Sequence, residues 1–260
     1  MYLYEGGNAI PDATSVAKQD VEGIVNTAKS SLPPSLLKNV QVHIGSAGFK
    51  VESGDIDIMV DAADAVATFK TENDKDPVKA AKLSMKTFFD AKGIPANVNG
   101  RNVSIGISYR DAAGLQKIAQ VDVMVIEDAA IVAPWHQHGP RGMYDDPGFK
   151  GSHNFMLMSS IAKHLGLKFD AFGGKLMRRD DNTVVGRTRQ EVAKILLGPK
   201  AKEDDLNSVK TMMAALAQDP DREGKLAQAR QDVGKGLLTL PEDHLPGTGH
   251  WFKKISERLK

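Results

Sequence analysis

The chain has 260 residues, of which 41% are hydrophobic and 26% are charged, and its formal net charge is +1. This composition is typical of a folded protein with one large or two small domains, and it excludes a mainly disordered chain. Because there is no cysteine, disulfides, thiolate metal sites and a cysteine nucleophile are excluded. No run approaches the ~18 apolar residues of a membrane span, and the amino terminus lacks a signal-peptide pattern, so we expect a cytoplasmic protein with no membrane partner.

Hydrophobic periodicity predicts one helix and two strands in the first sixty residues. Residues 14–32 repeat apolar residues at helical spacing, and residues 40–44 alternate as a strand that leads into Gly45. The second strand carries isoleucine and valine at alternate positions from residue 56. Because alternate side chains share a face, Asp55 and Asp57 lie together on the opposite face of this strand.

The following elements contribute a third aspartate. A helix is predicted over 76–92, with an aspartate cap and a proline at its first position, and two strands follow over 103–107 and 121–125. Asp122 lies opposite the valines of the second of these strands. Residues 127–152 are rich in glycine, proline and histidine, and we predict a long loop there.

The carboxyl-terminal part is predicted to be mostly helical from residue 154, with a hairpin or short sheet around 169–185 and two or three amphipathic helices at the end. Residues 151–200 contain nine lysines and arginines against four acidic residues, which makes this segment the basic one. We therefore predict a first domain over 1–130, a connecting loop and thumb-like part over 131–200, and a helical extension over 201–260.

Three aspartates on a rigid sheet predict a site for divalent metal ions. Hard oxygen ligands of this kind suit Mg²⁺, and two ions roughly 3.5 to 4 Å apart can activate a hydroxyl and neutralise a leaving pyrophosphate. Bound cations also explain why like charges are placed together, since they offset the repulsion. His136 and His138 are alternative metal ligands, although histidines in such loops are more often ordinary polar residues.

The spacing of these residues resembles a known nucleotidyltransferase signature. Residues 45–57 read GSAGFKVESGDID, with a Gly-Ser pair at a strand end, a loop, two aspartates around one hydrophobic residue, and a later strand aspartate. This order resembles the polymerase-beta-like nucleotidyltransferases, and most closely the family X polymerases, whose palm carries G-S-x-R-R-G-x-x-S-S-G-D-h-D. Here the stretch is one residue shorter and lacks the arginines. Residues 148–154, 162–176 and 189–198 also resemble later segments of that family.

The resemblance implies an α+β fold, with a palm of mixed or antiparallel sheet and flanking helices followed by a mostly helical thumb-like domain. It implies that Asp55, Asp57 and Asp122 are the catalytic and metal-binding residues for two Mg²⁺ ions, with Mn²⁺ as a substitute. The nucleotide-binding positions that it implies are Gly45, Ser46, Lys50, Ser53, Gly54, Gly148, Phe149, Gly151, Ser152 and Asn154. Nucleic acid would contact the basic residues Lys175, Arg178 and Arg179, with Trp251 as a further candidate.

The activity implied by the resemblance is transfer of a nucleoside monophosphate from an NTP or dNTP to a nucleic-acid 3′-hydroxyl, with a DNA primer as the first expectation and RNA as the second. Gly148 stands where some members have a tyrosine that disfavours ribonucleotides, so we expect ribonucleotides to be accepted. We expect neither the family's amino-terminal lyase domain nor its helix-hairpin-helix modules, and no obligate protein partner. Two alternatives stay open, namely transfer to tRNA ends or to a protein or small-molecule hydroxyl, and a non-catalytic nucleic-acid-binding relative.

Overall fold

The structure is a computed structural model, and it describes residues 9–137 and 151–234. The chain divides into two compact units, Met1–His138 and Gly139–Lys260. The predicted α+β fold class is confirmed, since a mixed sheet with flanking helices is followed by a largely helical part. The finer division at residues 130 and 200 stays a prediction.

The first unit alternates short helices with the strands of one main sheet. Its elements are β1 (Val16–Ala17), α1 (Val21–Ser31), β2 (Gln41–Ile44), β3 (Glu52–Ser53), β4 (Ile56–Asp61), α2 (Ala62–Phe69), α3 (Pro77–Ala91), β5 (Ala96–Asn99), β6 (Asn102–Arg110), β7 (Gln116–Ile126) and α4 (Ala129–His136). Short 3₁₀ turns precede α1 and β2. The predicted strands and the helix after residue 76 are thus present, with the Asp76 carboxylate accepting a hydrogen bond from the Lys79 N–H at the start of α3.

The main sheet has five strands in the order β2-β4-β7-β6-β5. The central strand β7 runs parallel to its neighbour β4, and each of the other neighbouring pairs is antiparallel. A parallel pair needs a crossover, and here the chain between β4 and β7 supplies it with α2, α3, β5 and β6. The two strands that carry the predicted aspartates are therefore adjacent.

One face of this sheet forms the hydrophobic core of the first unit. Ile56, Ile58 and Val60 of β4 lie on that face and are at most 2% exposed. They pack in one cluster with valines and isoleucines of β6 and β7 and with apolar residues of α1 and α3. At ~25 cal/mol for each Å² of buried apolar surface, this cluster is the main source of stability of the unit. It fixes the register of the strands, because a slip of one residue would move the aspartates into the core.

The predicted loop over 127–152 is wrong at its beginning, where α4 forms. The Asp128 carboxylate accepts a hydrogen bond from the Ile131 N–H and so caps the helix. The apolar run AAIVAPW gives α4 a buried side formed by Ala129, Val132 and Trp135. Burial of these residues outweighs the helix-breaking tendency of a proline inside the helix.

The second unit combines a three-stranded sheet with four helices within residues 151–234. Its elements are α5 (Gly151–His164), β8 (Leu167–Asp170), β9 (Lys175–Arg178), β10 (Val184–Gly186), α6 (Arg189–Leu197), α7 (Val209–Leu216) and α8 (Arg222–Gly234). The strands pair in the order β10-β9-β8, as the predicted short sheet requires. None of the helices in the described parts of the chain is long and apolar enough to cross a membrane.

Candidate functional site

Asp57 and Asp122 are direct neighbours on the central strands of the sheet. In the parallel pairing of β4 with β7, Asp57 is opposite Asp122, between the core pairs Ile56 with Val121 and Ile58 with Val123. Because those apolar residues face the core, both carboxylates leave the other face of the sheet. Asp55 lies one residue before β4 and two residues before Asp57. The alternation therefore brings Asp57 and Asp122 to one face, and Asp55 lies near enough for its charge to act on Asp57.

The electrostatic environment of Asp57 reflects this crowding. Burial of the side chain, followed by the negative charges of Asp55 and then Asp122, raises the pKa of Asp57 from 3.8 to about 8. Burial and like charge both oppose ionisation, because each disfavours the charged form of the carboxyl. Below that pH and without a bound cation, Asp57 is mostly protonated.

Asp122 is held by two neutral amide groups. The residue is 8% exposed. Nδ2 of Asn102 donates a hydrogen bond to Oδ2 at 2.9 Å, and Nε2 of Gln120 donates one to Oδ1 at 2.9 Å. These two bonds fix the plane of the carboxylate and leave further lone pairs on each oxygen.

Gly45 brings backbone directly against the acidic pair. Its φ angle is +71°, and a Cβ atom there would lie 2.6 Å from Oδ2 of Asp57. The Gly45 N–H donates to the carbonyl oxygen of His136 at 3.1 Å, so the end of α4 holds this turn. Only glycine fits both the conformation and the space.

The predicted phosphate-binding loop begins at this glycine. Ser46 and Lys50 are half-buried, and the backbone N–H groups of Phe49 and Lys50 both donate to the Ser46 carbonyl oxygen, at 3.2 and 3.3 Å. The loop therefore forms a tight turn just before β3. Ser46 follows the glycine that approaches Asp57, and its contact with a phosphate stays a prediction.

Ser53 is buried without a hydrogen-bond partner. It is 6% exposed, it pairs with Val16 between β1 and β3, and its hydroxyl has no partner among the described residues. Gly54 then links β3 to Asp55. An unpaired buried hydroxyl costs about 1 to 3 kcal/mol, so this position gains from a ligand that accepts or donates a hydrogen bond.

The donor set suits magnesium in its chemistry, since all three predicted ligands are carboxylates. Burial and the charges of Asp55 and Asp122 raise the pKa of Asp57, and a divalent cation would offset that repulsion. However, within residues 9–137 and 151–234 no three acidic or histidine side chains converge closely enough to form a ready metal site. His136 therefore takes part in no such cluster among the described residues. His138 lies outside the described residues.

The second unit carries the remaining predicted nucleotide-binding positions. Gly148 and Phe149 lie outside the described residues, and Gly151 and Ser152 form the first positions of α5. Asn154, on the same helix, is 9% exposed, and its Nδ2 donates to the carbonyl oxygen of Asn207 at 2.7 Å. Asn154 thus ties α5 to the turn before α7, and its contact with a nucleotide stays a prediction.

The predicted nucleic-acid contacts are distributed over the three-stranded sheet. Lys175 and Arg178 lie three residues apart on β9, so their side chains leave opposite faces. Arg179 follows the strand, and its Nε donates to the Leu167 carbonyl oxygen at 2.8 Å. Arg178 and Arg179 are exposed. Binding of nucleic acid by these residues stays a prediction.

Sequence reasoning missed the amides around Asp122. Gln120 could have been found, because it lies two residues before Asp122 and so shares its face. Asn102 could not, since its approach depends on the antiparallel register of β6 with β7, in which Asn102 is opposite Met124. The sequence pattern of β6 alone does not set that register.

No protein-family model matches the chain, and no curated protein matches it. Among solved structures, the chain is similar to the crystal structure of Leishmania infantum polymerase beta in a ternary P/T complex. The TM-score is 0.49 at 16% sequence identity, and the match covers 76% of this chain and 78% of that chain.

Proposed function

We propose that this protein is a polymerase-beta-like nucleotidyltransferase of the family X type. The observation that carries the proposal is the pairing of Asp57 with Asp122 on adjacent parallel strands, with the charge of Asp55 acting on Asp57. The raised pKa of Asp57 adds support, because three crowded carboxylates are costly unless a cation binds them. The Gly-Ser turn beside Asp57 supports a phosphate ligand at the same place.

The proposed reaction transfers a nucleoside monophosphate. An acceptor hydroxyl oxygen forms a bond to the α-phosphorus of an NTP or dNTP, the bond from that phosphorus to the bridging oxygen breaks, pyrophosphate leaves, and the hydroxyl proton passes to solvent. Two Mg²⁺ ions, when bound, lower the pKa of the hydroxyl and neutralise charge on the phosphates. Mn²⁺ is the expected substitute.

Each acid has a distinct proposed role. Asp55 and Asp57 would hold both ions, and Asp122 would complete the ligands on the side of the attacking hydroxyl. The three carboxylates form no ready cluster in the described structure, so they would have to approach one another to hold the ions. Asp122 is oriented by its two amide partners.

The phosphates of the nucleotide would be bound by the loop that follows β2. The bare backbone of Gly45 admits an oxygen close to Asp57, and the hydroxyls of Ser46 and Ser53 offer hydrogen bonds. Gly54 lies between that loop and Asp55, and it has no side chain that would fill the space beside the phosphates. Lys50 supplies the positive charge that arginine supplies in the resembling family.

The proposed acceptor is a nucleic-acid 3′-hydroxyl, with a DNA primer first and RNA second. Support comes from the basic character of residues 151–200 and from the exposed Arg178 and Arg179. By the resemblance, Gly148, Phe149, Gly151, Ser152 and Asn154 contact the incoming nucleotide. The glycine at 148 favours use of ribonucleotides.

The test is transfer of label from α-³²P-labelled ATP or dATP in Mg²⁺ or Mn²⁺. Single-stranded DNA, gapped DNA, bulk tRNA and protein serve as acceptors, and the labelled acceptor identifies the class of transferase. Asp57→Ala and Asp122→Asn are expected to lower the rate at least about 1,000-fold, because each removes a carboxylate that acts at the reacting phosphorus. Asp90→Asn is the matched control, since it removes one exposed carboxylate from α3 on the opposite side of the sheet.

Two results would overturn the proposal. One is label transfer by Asp57→Ala at the parental rate. The other is the absence of label on every acceptor while the folded protein still binds labelled nucleotide or DNA, which is the result expected of a non-catalytic relative. Label on tRNA or protein alone would support the transferase activity but show that the acceptor is not a DNA primer.

A further inference from the structure

We propose that Gln120 is a positioning residue that couples the segment at Ala9 and Ile10 to the carboxylate of Asp122. The inference rests on the proposed function, because Asp122 is there a ligand on the side of the attacking hydroxyl. Gln120 belongs neither to the sequence motif nor to the residues that the resemblance implies. The segment 9–10 precedes every element that carries the motif.

The hydrogen bonds of Gln120 fix its orientation. Nε2 donates to Oδ1 of Asp122 at 2.9 Å, and Oε1 accepts from the N–H groups of Ala9 and Ile10, at 2.8 and 3.3 Å. A carboxylate only accepts and a backbone N–H only donates, so an amide in the reverse orientation would lose all three bonds. Gln120 is 3% exposed, and water therefore does not replace these partners.

The segment that Gln120 holds is itself fixed against the sheet. Ile10 is 3% exposed and packs on Gly106 of β6, where a Cβ atom would lie 2.9 Å from Cγ2 of Ile10. The Thr14 N–H donates to the carbonyl oxygen of Ile118 at 2.9 Å. Residues 10 to 14 thus lie along β7 beside Gln120, and they give its amide a rigid second support.

The chemistry of the support suits an acid that must stay charged. Asn102 and Gln120 are neutral, and within the described residues no lysine or arginine forms an ion pair with Asp122. Neutral donors orient a carboxylate without cancelling the charge that a cation needs. Loss of such an indirect partner typically costs about 10- to 100-fold in metal affinity or activity.

Two variants separate the two sides of this contact. Gln120→Glu keeps an oxygen for the Ala9 and Ile10 N–H groups and removes the donor to Asp122, whereas Gln120→Met keeps the size and removes both. Gln116→Glu is the matched control, because it makes the same change on the same strand at an exposed position. Circular dichroism establishes that each variant is folded.

Amide hydrogen exchange tests the contact to the segment without metal or substrate. In Gln120→Met the Ala9 and Ile10 amides are expected to exchange at least about 10-fold faster than in the parent, and in Gln120→Glu they keep their protection. Mn²⁺ affinity, measured by titration calorimetry without nucleotide, tests the contact to Asp122. Gln120→Met is expected to bind Mn²⁺ about 10-fold more weakly, while Gln116→Glu binds as the parent does.

Steady-state kinetics then separates positioning from folding. Both Gln120 variants are expected to lower kcat about 10- to 100-fold at an unchanged KM for the nucleotide, because Asp122 faces the hydroxyl and not the phosphates. Parental kcat and Mn²⁺ affinity in Gln120→Met would overturn the inference. A parent chain that transfers no label would instead overturn the proposed function, and the exchange and Mn²⁺ measurements would still decide whether Gln120 supports Asp122. Should Gln120→Met not fold, Ile10→Ala loosens the same support, and unchanged exchange at Ala9 would overturn the inference.

Discussion

Gly45 and Asp57 approach so closely that a single methyl group at Gly45 would lie 2.6 Å from Oδ2 of the aspartate. This contact joins the turn after β2 to the acidic face of β4, although twelve positions separate the two residues in sequence. A side chain at residue 45 would therefore disturb the site and the fold at the same point.

Gly45→Ala is expected to lower both stability and activity. The left-handed backbone of this position costs an alanine about 1 kcal/mol, and the new Cβ must also displace the Asp57 carboxylate. Gly93→Ala is the matched control, because Gly93 has nearly the same φ angle, +73°, with no atom within 4 Å of a Cβ. We expect Gly45→Ala to lower Tm by several degrees more than Gly93→Ala, and to lower label transfer at least about 10-fold.

Thermal unfolding and the labelling assay check this prediction together. Equal losses of Tm in the two variants would mean that Asp57 moves aside without cost. Retained activity in Gly45→Ala would contradict the placement of the phosphates at this turn.

The pKa of Asp57 predicts a pH dependence of stability in the absence of divalent ions. The folded pKa is about 8 and the reference value is 3.8, so between these values the folded state binds one more proton than the unfolded state. The free energy of unfolding therefore falls as pH rises from about 4 to 8, by at most roughly 1.4 kcal/mol per pH unit, and this contribution is constant above pH 8.

Asp57→Asn is expected to remove this contribution, because an amide is neutral at every pH. Urea unfolding in EDTA at pH 5, 6, 7 and 8 measures the difference between parent and variant, and it cancels the other groups that titrate. We expect the variant to gain stability relative to the parent as pH rises. A difference that stays constant with pH would show that the folded pKa of Asp57 is not raised.

The face of each strand could be predicted from the sequence because one physical rule decides it. Ile56, Ile58 and Val60 must enter the core, and strand geometry then sends Asp57 to the other side. The same rule applies to Asp122 between Val121 and Val123. The alternation did not predict that the two strands pair in parallel, because side chains alternate between the faces in parallel and antiparallel sheets alike.

Contacts between residues distant in sequence were the part that could not be predicted. The cap of α4 by Asp128 is local and was readable in principle, but the glycines, prolines and histidines within residues 127–152 favoured a loop. The bond from Gln120 to Ala9 joins residues separated by 111 positions, and no local preference indicates it. The shared face of Asp57 and Asp122 was thus predictable, and the contacts that orient Asp122 were not.

Gly148→Tyr tests the proposed sugar selectivity. By the resemblance, a tyrosine at this position hinders the 2′-hydroxyl, so we expect the variant to lose ribonucleotide transfer at least about 10-fold more than deoxyribonucleotide transfer, which is worth ~1.4 kcal/mol of discrimination. The ratio of kcat/KM for ATP and dATP measures the effect. Gly142→Tyr, in the same segment, is the control. An unchanged ratio would remove Gly148 from the nucleotide site.

The ion pair between Lys225 and Asp219 predicts a large loss of stability for a residue remote from the motif. Nζ lies 2.8 Å from Oδ2, and each side chain is 4% exposed. Lys225→Met leaves a buried carboxylate unpaired, which typically costs about 3 to 5 kcal/mol in denaturant unfolding. Lys86→Met, which breaks a pair with Asp90 exposed at 38% and 42%, is the control, with an expected cost of about 0.3 to 0.5 kcal/mol.

A second substitution decides whether the unpaired charge causes that loss. Asp219→Asn in the Lys225→Met background removes the charge and keeps an oxygen that accepts from the Asp221 N–H, a bond of 2.7 Å in the parent. The double variant is therefore expected to be more stable than Lys225→Met alone. If it is less stable, the loss comes from the packing of the lysine stem and not from desolvation of the carboxylate.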